Sequence, residues 1–405
     1  MGILDRILGR EARSVKSSDP FLAQHFGLVT AGGANVTPDT VLSCLSVAYR
    51  CIALRSELLA SVPLHLYRRT TEGGRERAND HPLYRVLHDM ANPNTAAFEA
   101  REWAIRCLDL HGNAFFRLDR NSAGQVTALH LIQPHSVGIE RLASGRLRYR
   151  ISGEPGGTVV LTQDEVLHVR GPSKDGLIGQ SPVAMARGTL GLAVSQQDTA
   201  GAMMTNALRP SGLLTFPERL SVDSRDRIRS TIEKAFSGTA NAGKVMVMDG
   251  GAKFEATSMT SEDAEFLASR KLANEDVARI FGVPPTAVGI TDRATYSNTE
   301  QEGRALVQNA LGPLAARIEA AIMRCCLSDA ARRTYYVEHD LSGLLRGDVK
   351  SRFEAYRIGR EIGLFSANDI ARLENMPPVE GGDERYVPAN WMKLGQTAPA
   401  KGGTE

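Results

Sequence analysis

Apolar residues recur at Val41, Leu45, Ala48, Ile52 and Leu59, which is one face of a helix beginning near residue 37 and ending at Pro63. Its start is marked by Thr37-Pro38-Asp39, an N-cap, a proline at the first helical position and an early acid. The stretch LHLYRR predicts a short strand. HPLYRVLHDMANPNTAAFEAREWAIRCLDLHGN predicts helix, an Asn92-Pro93-Asn94 turn, and a second helix carrying Phe98, Trp103 and Leu110. From residue 113 to 170 the period shortens to runs split by Gly, Asn and Pro: AFFRLDR, VTALHLI, GRLRYRIS, GTVVL and EVLHVR. These predict a β-rich segment.

The pattern changes again at GQSPVAMARGTLGLAVSQQDTAGAMMTNALRP, a helical stretch of small residues and methionines ending at Pro210, whose thin side chains let backbones approach closely. Residues 213 to 259 predict a strand (LLTF), a helix (SRDRIRSTIEKAF) and a hairpin of KVMVM with AKFEATSM around Asp249-Gly250-Gly251. A second long helix spans residues 261 to 282, with Glu262 and Asp263 in its first turn and Phe266, Ala273, Val277 and Ile280 on one stripe. At 1.5 Å per residue it is about 33 Å long. Val283, Pro284 and Pro285 form its predicted stop, because proline lacks the amide donor and clashes with the preceding turn.

A capping box, Thr299-x-x-Glu302, predicts where helix resumes, and Leu306, Ala310, Leu314, Ile318, Ala321 and Cys325 give it one apolar face, with a kink expected at Gly312-Pro313. A strand in RTYYVEH follows, then a helix closed by Gly363 and another opened by Ser366-x-x-Asp369 and ended by Pro377-Pro378. The final fifteen or so residues predict a loose tail.

A chain of 405 residues has the length of two or three domains. Its 48 Lys+Arg nearly cancel 46 Asp+Glu, for a net charge of +2, so no global basic excess marks a tight nucleic-acid binder. No apolar run reaches the ~18 residues of a membrane-spanning helix, so no membrane association is expected. Asp5, Arg6 and Arg10 interrupt what would be a signal-peptide core, which is the pattern of a cytoplasmic product. Cys44, Cys51, Cys107, Cys325 and Cys326 lack zinc-ligand spacing and read as buried thiols in a reducing compartment.

Catalytic signatures are missing from the sequence: no GxxxxGK[ST] loop, no GxSxG elbow, no HExxH. His81 and His88 are seven apart and are accounted for by surface or core packing. The acidic pairs Asp263/Glu265 and Asp383/Glu384 could hold a divalent metal in a nuclease, or serve a helix dipole and a solvated turn. Neither an enzyme nor a cofactor or metal site is expected. A metal-dependent nucleic-acid-processing enzyme and a monomeric adaptor or scaffold remain the alternatives.

The string ARIFGVPPTAVGI, then NTE, LGPLAARIEAAI, LLRGD and GLFSANDIARLENMPPVEGGD resembles, in this order, the short-form portal proteins of tailed bacteriophages. HGNAFF, VLHVRGPSKDGLIGQSP and RPSGLLTF fit the same family, so the resemblance runs from about residue 41 to 388. Asp369 stands where the family more often has glutamate; either acid suits a first helical turn. The family that these strings resemble also serves prophages and gene transfer agents.

The resemblance implies an α+β portal fold and a homo-oligomeric ring, usually a dodecamer, at one capsid vertex of the virion, assembled in the bacterial host cytoplasm. Double-stranded DNA would pass through it without sequence recognition, and terminase, a head-tail adaptor and the major capsid protein would be its partners. Mapped onto this chain, the resemblance implies a flexible arm (1–36), a mixed α/β wing (37–185 and 328–345), stem helices (186–209 and 260–282), and an α/β clip (210–259). It further implies a tunnel loop (283–298), a long kinked helix (299–327), a helical crown (346–385) and a tail (386–405). Thr291, Asp292, Arg293, Ser297 and Asn298 are then expected to project toward the channel as a mobile loop, with Arg304 nearby. Arg219, Arg225, Arg227, Arg229, Lys234 and Lys244 of the clip are expected to contact partners, or else to be a solvated face.

Overall fold

The computed structural model describes residues 35–71, 73–154, 157–206, 212–215, 221, 223–224, 227, 253–256, 261–291, 296–345, 349–374 and 376–386. The chain divides into two units, one of residues 1–61 with 65–338 and one of 62–64 with 339–405. In the first unit, helix α1 (Pro38–Cys44) opens on the expected Thr37 cap, a reciprocal capping box in which Thr37 and Thr40 exchange hydrogen bonds. The expected single helix is broken at Leu45, whose backbone is extended, and resumes as α2 (Ser46–Ser61). Val41, Leu45, Ala48, Ile52 and Leu59 are all buried regardless. Periodicity reports which side faces the core, not whether the backbone is continuous.

Strands β1 (Leu64–Arg69) and β2 (Arg75–Arg77) pair antiparallel, helix α3 (Pro82–His88) follows, and β3 (Met90–Asn92) and β4 (Thr95–Ala96) form a small hairpin at the predicted Asn-Pro-Asn turn. Helix α4 (Ala97–His111) ends at Gly112, whose φ of 75° is the left-handed conformation a C-terminal glycine supplies. The predicted β-rich segment forms two antiparallel three-stranded sheets. One has the order β10-β5-β6, from β5 (Asn113–Arg120), β6 (Val126–Ile132) and β10 (Val166–Arg170); the other is β7-β8-β9, from β7 (Val137–Arg141), β8 (Leu147–Glu154) and β9 (Gly157–Thr162). Phe115, Ile132, Tyr149, Ile151 and Val166 join them in one core.

Between these sheets His168 is buried, bonded through Nε2 to Asn113 Oδ1 at 2.9 Å and through Nδ1 to the Tyr149 hydroxyl at 3.2 Å. Burial, and secondarily Arg170 and Arg324, push its pKa down to about 3, so it is a neutral ring at any ordinary pH. Asn113 also donates to Gly179 O and accepts from Gly179 N, each at 2.8 Å. The strand start at HGN is thereby tied to the GLIGQS segment, which enters the short helix α5 (Pro182–Met185).

Helix α6 (Arg187–Asn206) packs beside α7 (Ser261–Ile280), linked by Gln196 to Ser269 and by Arg270 to Gln197, both at 2.7 Å. Between them in sequence, β11 (Gly212–Thr215) pairs antiparallel with β12 (Lys253–Ala256). The predicted KVMVM partner of β12 lies outside the described residues, as does the predicted helix apart from short fragments.

After α7 come α8 (Tyr296–Ala305), a π-helical run at Leu306–Leu311 and α9 (Gly312–Cys326), which lies against β10. Where the sequence predicts a kink at Gly312-Pro313, the structure has a π-helical run immediately before that pair. Pro313 has no N–H to give and its ring crowds the preceding turn, and the wider i→i+5 turn, with Gly312 N bonded to Val307 O, takes up that misfit. The short helix α10 (Ala331–Thr334) leads into β13 (Tyr335–His339), and the third sheet has the order β13-β1-β2.

The second unit contains α11 (Ser342–Leu345), α12 (Val349–Glu361) and α13 (Ala367–Leu373). Gly363, at φ 71°, follows α12, and Ser366 with Asp369 caps α13 reciprocally, as the sequence predicts. The two helices are locked by Glu374, which accepts from Arg352 Nη2 at 3.0 Å and from the Tyr356 hydroxyl at 2.8 Å.

Candidate functional site

The segment ARIFGVPPTAVGI ends α7 by a route different from the one its prolines suggest. Gly282 takes φ 66°, its N–H bonds Arg279 O at 3.1 Å, and Val283 N–H bonds Ala278 O at 3.0 Å. This is a Schellman motif, with Ala278 and Val283 both buried as its hydrophobic contact. The expected stop at Val283, Pro284 and Pro285 is therefore corrected. Glycine terminates the helix, and the prolines act one step later. They set the entry to a 3-10 turn, Pro285–Val288, closed by Gly289 at φ 89° with Gly289 N to Thr286 O and Ile290 N to Pro285 O.

A buried charge holds this helix end. Arg55, on α2, donates through Nη1 to the carbonyl of Phe281, one of the α7 carbonyls that has no intrahelical partner. Its Nε lies 3.1 Å from Asp109 Oδ2 on α4, with the N–H not aimed at the oxygen, so the contact is mainly coulombic. Asp109 is only 4% exposed, and burial pushes its pKa up to about 6 against the opposing pull of Arg55. Sequence reasoning missed this pair, although a signal was present. Asp109 is an acid on the apolar stripe of AIRCLDLHG, where a charge survives only if something pairs it.

Part of the segment expected as a mobile loop is held in place. Val283 is buried, Val288 packs against the same core, and Thr286 Oγ1 donates to Glu302. Ser297 and Asn298 are not in a loop, because α8 already begins at Tyr296. The same start displaces the predicted Thr299-x-x-Glu302 capping box: Thr299 is inside the helix, and Glu302 accepts from Thr286 instead. Thr291 is exposed at the end of the turn, and Arg304 is exposed in the last turn of α8. Asp292 and Arg293 lie outside the described residues. So do Arg219, Arg225, Arg229, Lys234 and Lys244; Arg227 is exposed on a helical fragment.

Of the acidic pairs, Asp263 and Glu265 sit in the first turns of α7, while Asp383 lies 3.7 Å from Arg372 and Glu384 accepts from the Tyr386 hydroxyl at 2.9 Å. Among the described residues no three His, Cys, Asp or Glu side chains gather as metal ligands, and no helix is long and apolar enough to cross a membrane.

Residues 46–375 match the family model described as Phage portal protein. The portal protein of Enterobacteria phage HK97 is 32% identical over 88% of this chain and 85% of its own length. Among solved structures, a chain in the neck of an empty GTA particle computed with C6 symmetry superposes with a TM-score of 0.65, at 24% identity over 84% of this chain and 93% of that one. A chain in the neck of a native GTA particle computed with C12 symmetry gives 0.59, at 23% identity over 89% and 99%.

Proposed function

This chain belongs to the phage portal protein family, and from that premise we propose that twelve copies close into a ring at one capsid vertex of a phage or gene-transfer-agent virion, forming the channel for double-stranded DNA. The observation that carries the reading is the family match, which runs from α2 to α13 and so includes the capped end of α7 and the π-broken helix after it. In this arrangement α6 and α7 form the stem, residues 210–259 the clip that meets terminase and the head-tail adaptor, residues 37–185 with 328–345 the wing, and residues 346–385 the crown. The motor that drives packaging belongs to terminase; this chain's part is structural.

In this reading the segment that follows the Pro285–Val288 turn, with Thr291 and Arg293, lines the channel. Repeated around a ring, Arg293 makes a band of positive charge, with Arg304 a second candidate. Contacts to phosphates recognise backbone and not sequence, and many lysines and arginines per subunit would retain DNA instead of letting it slide. A near-neutral chain with a single cationic band suits a conduit.

The ring is tested by solution mass and negative-stain imaging. Twelve chains of 43.8 kDa give about half a megadalton with a central hole, and a monomer would overturn the reading. The loop is tested by replacing residues 292–295 with glycine and serine. Ring mass is expected to be unchanged while DNA packaged or retained per particle falls about tenfold or more. Loss of the ring itself would make the segment structural, and wild-type packaging would remove it from the channel.

A further inference from the structure

The sheet β13-β1-β2 carries a side-chain arrangement that neither the channel nor the helix cap uses. Its register places Tyr67 opposite Arg77 and Arg69 opposite Arg75, so all four lie on one face. Tyr336 of β13 joins them, its ring stacked on that of Tyr67 with centroids 5.5 Å apart. The guanidinium of Arg75 lies 4.5 Å from the centroid of Tyr67, and that of Arg69 lies 4.7 Å from the centroid of Tyr336. Arg69, Arg75 and Arg77 are exposed, and Tyr67 and Tyr336 are half-buried. Among the described residues the one acid on this face is Glu338, which is ion-paired with Arg75.

We propose that this face is a docking surface for an acidic segment of a protein partner. Three arginines stand against one glutamate, and among the described residues Arg69 and Arg77 have no carboxylate partner. Arginine and tyrosine are the residues enriched where binding energy concentrates, since they present large area and directed donors at little entropic cost. Here the rings and guanidinia already hold one another, so little ordering remains to be done on binding. Glu338 is the face's own demonstration that a carboxylate fits there. A single-stranded nucleic acid fits less well, because base stacking needs an open ring face. Tyr67 is covered by Tyr336 and Arg75, and Tyr336 by Tyr67 and Arg69.

The test uses the full-length protein in its assembled form and a fluorescein-labelled poly-glutamate peptide with one central tryptophan, read by anisotropy alongside a labelled DNA duplex and the assembly's mass. The Arg69→Ser/Arg77→Ser double variant is expected to bind the peptide about tenfold more weakly than wild type, with unchanged mass. Glu338→Gln, which frees Arg75, is expected to bind it about two- to fivefold more tightly, a gain that damage to the fold would not produce. Peptide affinity equal in all three proteins overturns the proposal. So does a double variant that loses only duplex binding, which would make the face a nucleic-acid contact, or one that changes only assembly mass, which would place a second copy of this chain on it.

Discussion

Arg55→Ala is expected to lower the free energy of unfolding by about 3–5 kcal/mol near neutral pH, because it strands a buried carboxylate and uncaps a helix at the same time. Asp109 loses the cation beside it, and Phe281 O loses its donor. The loss should depend on pH with a definite sign. Folding raises the Asp109 pKa from 3.8 to about 6, so the stability associated with its protonated form is complete below 3.8 and is lost as the pH rises through about 6. Without Arg55 that pKa rises further, so the variant's deficit is larger at about pH 8 than at about pH 5, where the folded protein already carries the proton. Urea midpoints of both proteins at the two pH values measure it. An equal deficit at both would mean that Arg55 acts through the Phe281 cap and packing and not through the Asp109 charge. The double variant Arg55→Met/Asp109→Leu should recover much of the loss, since removing both charges removes the desolvation penalty with them.

Gly179→Ala is expected to cost about 3 kcal/mol or more, with poor soluble yield. A Cβ there would sit 1.9 Å from Gly112 O, 2.7 Å from Gly171 N and 3.0 Å from Asn113 Oδ1. Two of the three are backbone atoms, and Gly112 O is already bonded to Gly171 N at 2.8 Å, so no side chain can swing aside. Gly124→Ala is the control. It has a φ of 76° with nothing within 4 Å of the added Cβ, so it should cost only the left-handed strain of about 1–2 kcal/mol. If the two variants unfold at the same urea concentration, the close approach of these backbones is not holding this segment together.

Much of the architecture was legible from local rules. Alternation in AFFRLDR, VTALHLI and EVLHVR predicts three strands that pair as one sheet, and the Thr37 and Ser366 caps lie where those residue types place them. Errors fell where a local signal had a stronger competitor. The Pro284-Pro285 pair looks like the end of α7, yet Gly282 ends it first, because a left-handed residue closes two backbone hydrogen bonds that proline can only fail to make. Thr299 and Glu302 have capping-box spacing, but Thr286 takes Glu302 once the chain has folded back on itself.

Sequence alone determined the order and type of elements, the polar break between two long helices and the family to which the strings belong, since each is written in residues near one another along the chain. Tertiary structure decided what holds those residues in place. Arg55 and Asp109 sit on two separate helices and Phe281 just past the end of a third, and Gly112 and Gly179 are 67 positions apart yet nearly touch. The energy of a buried ion pair or of two backbones in contact depends on desolvation and distance in the folded state. No periodicity in the chain encodes either quantity.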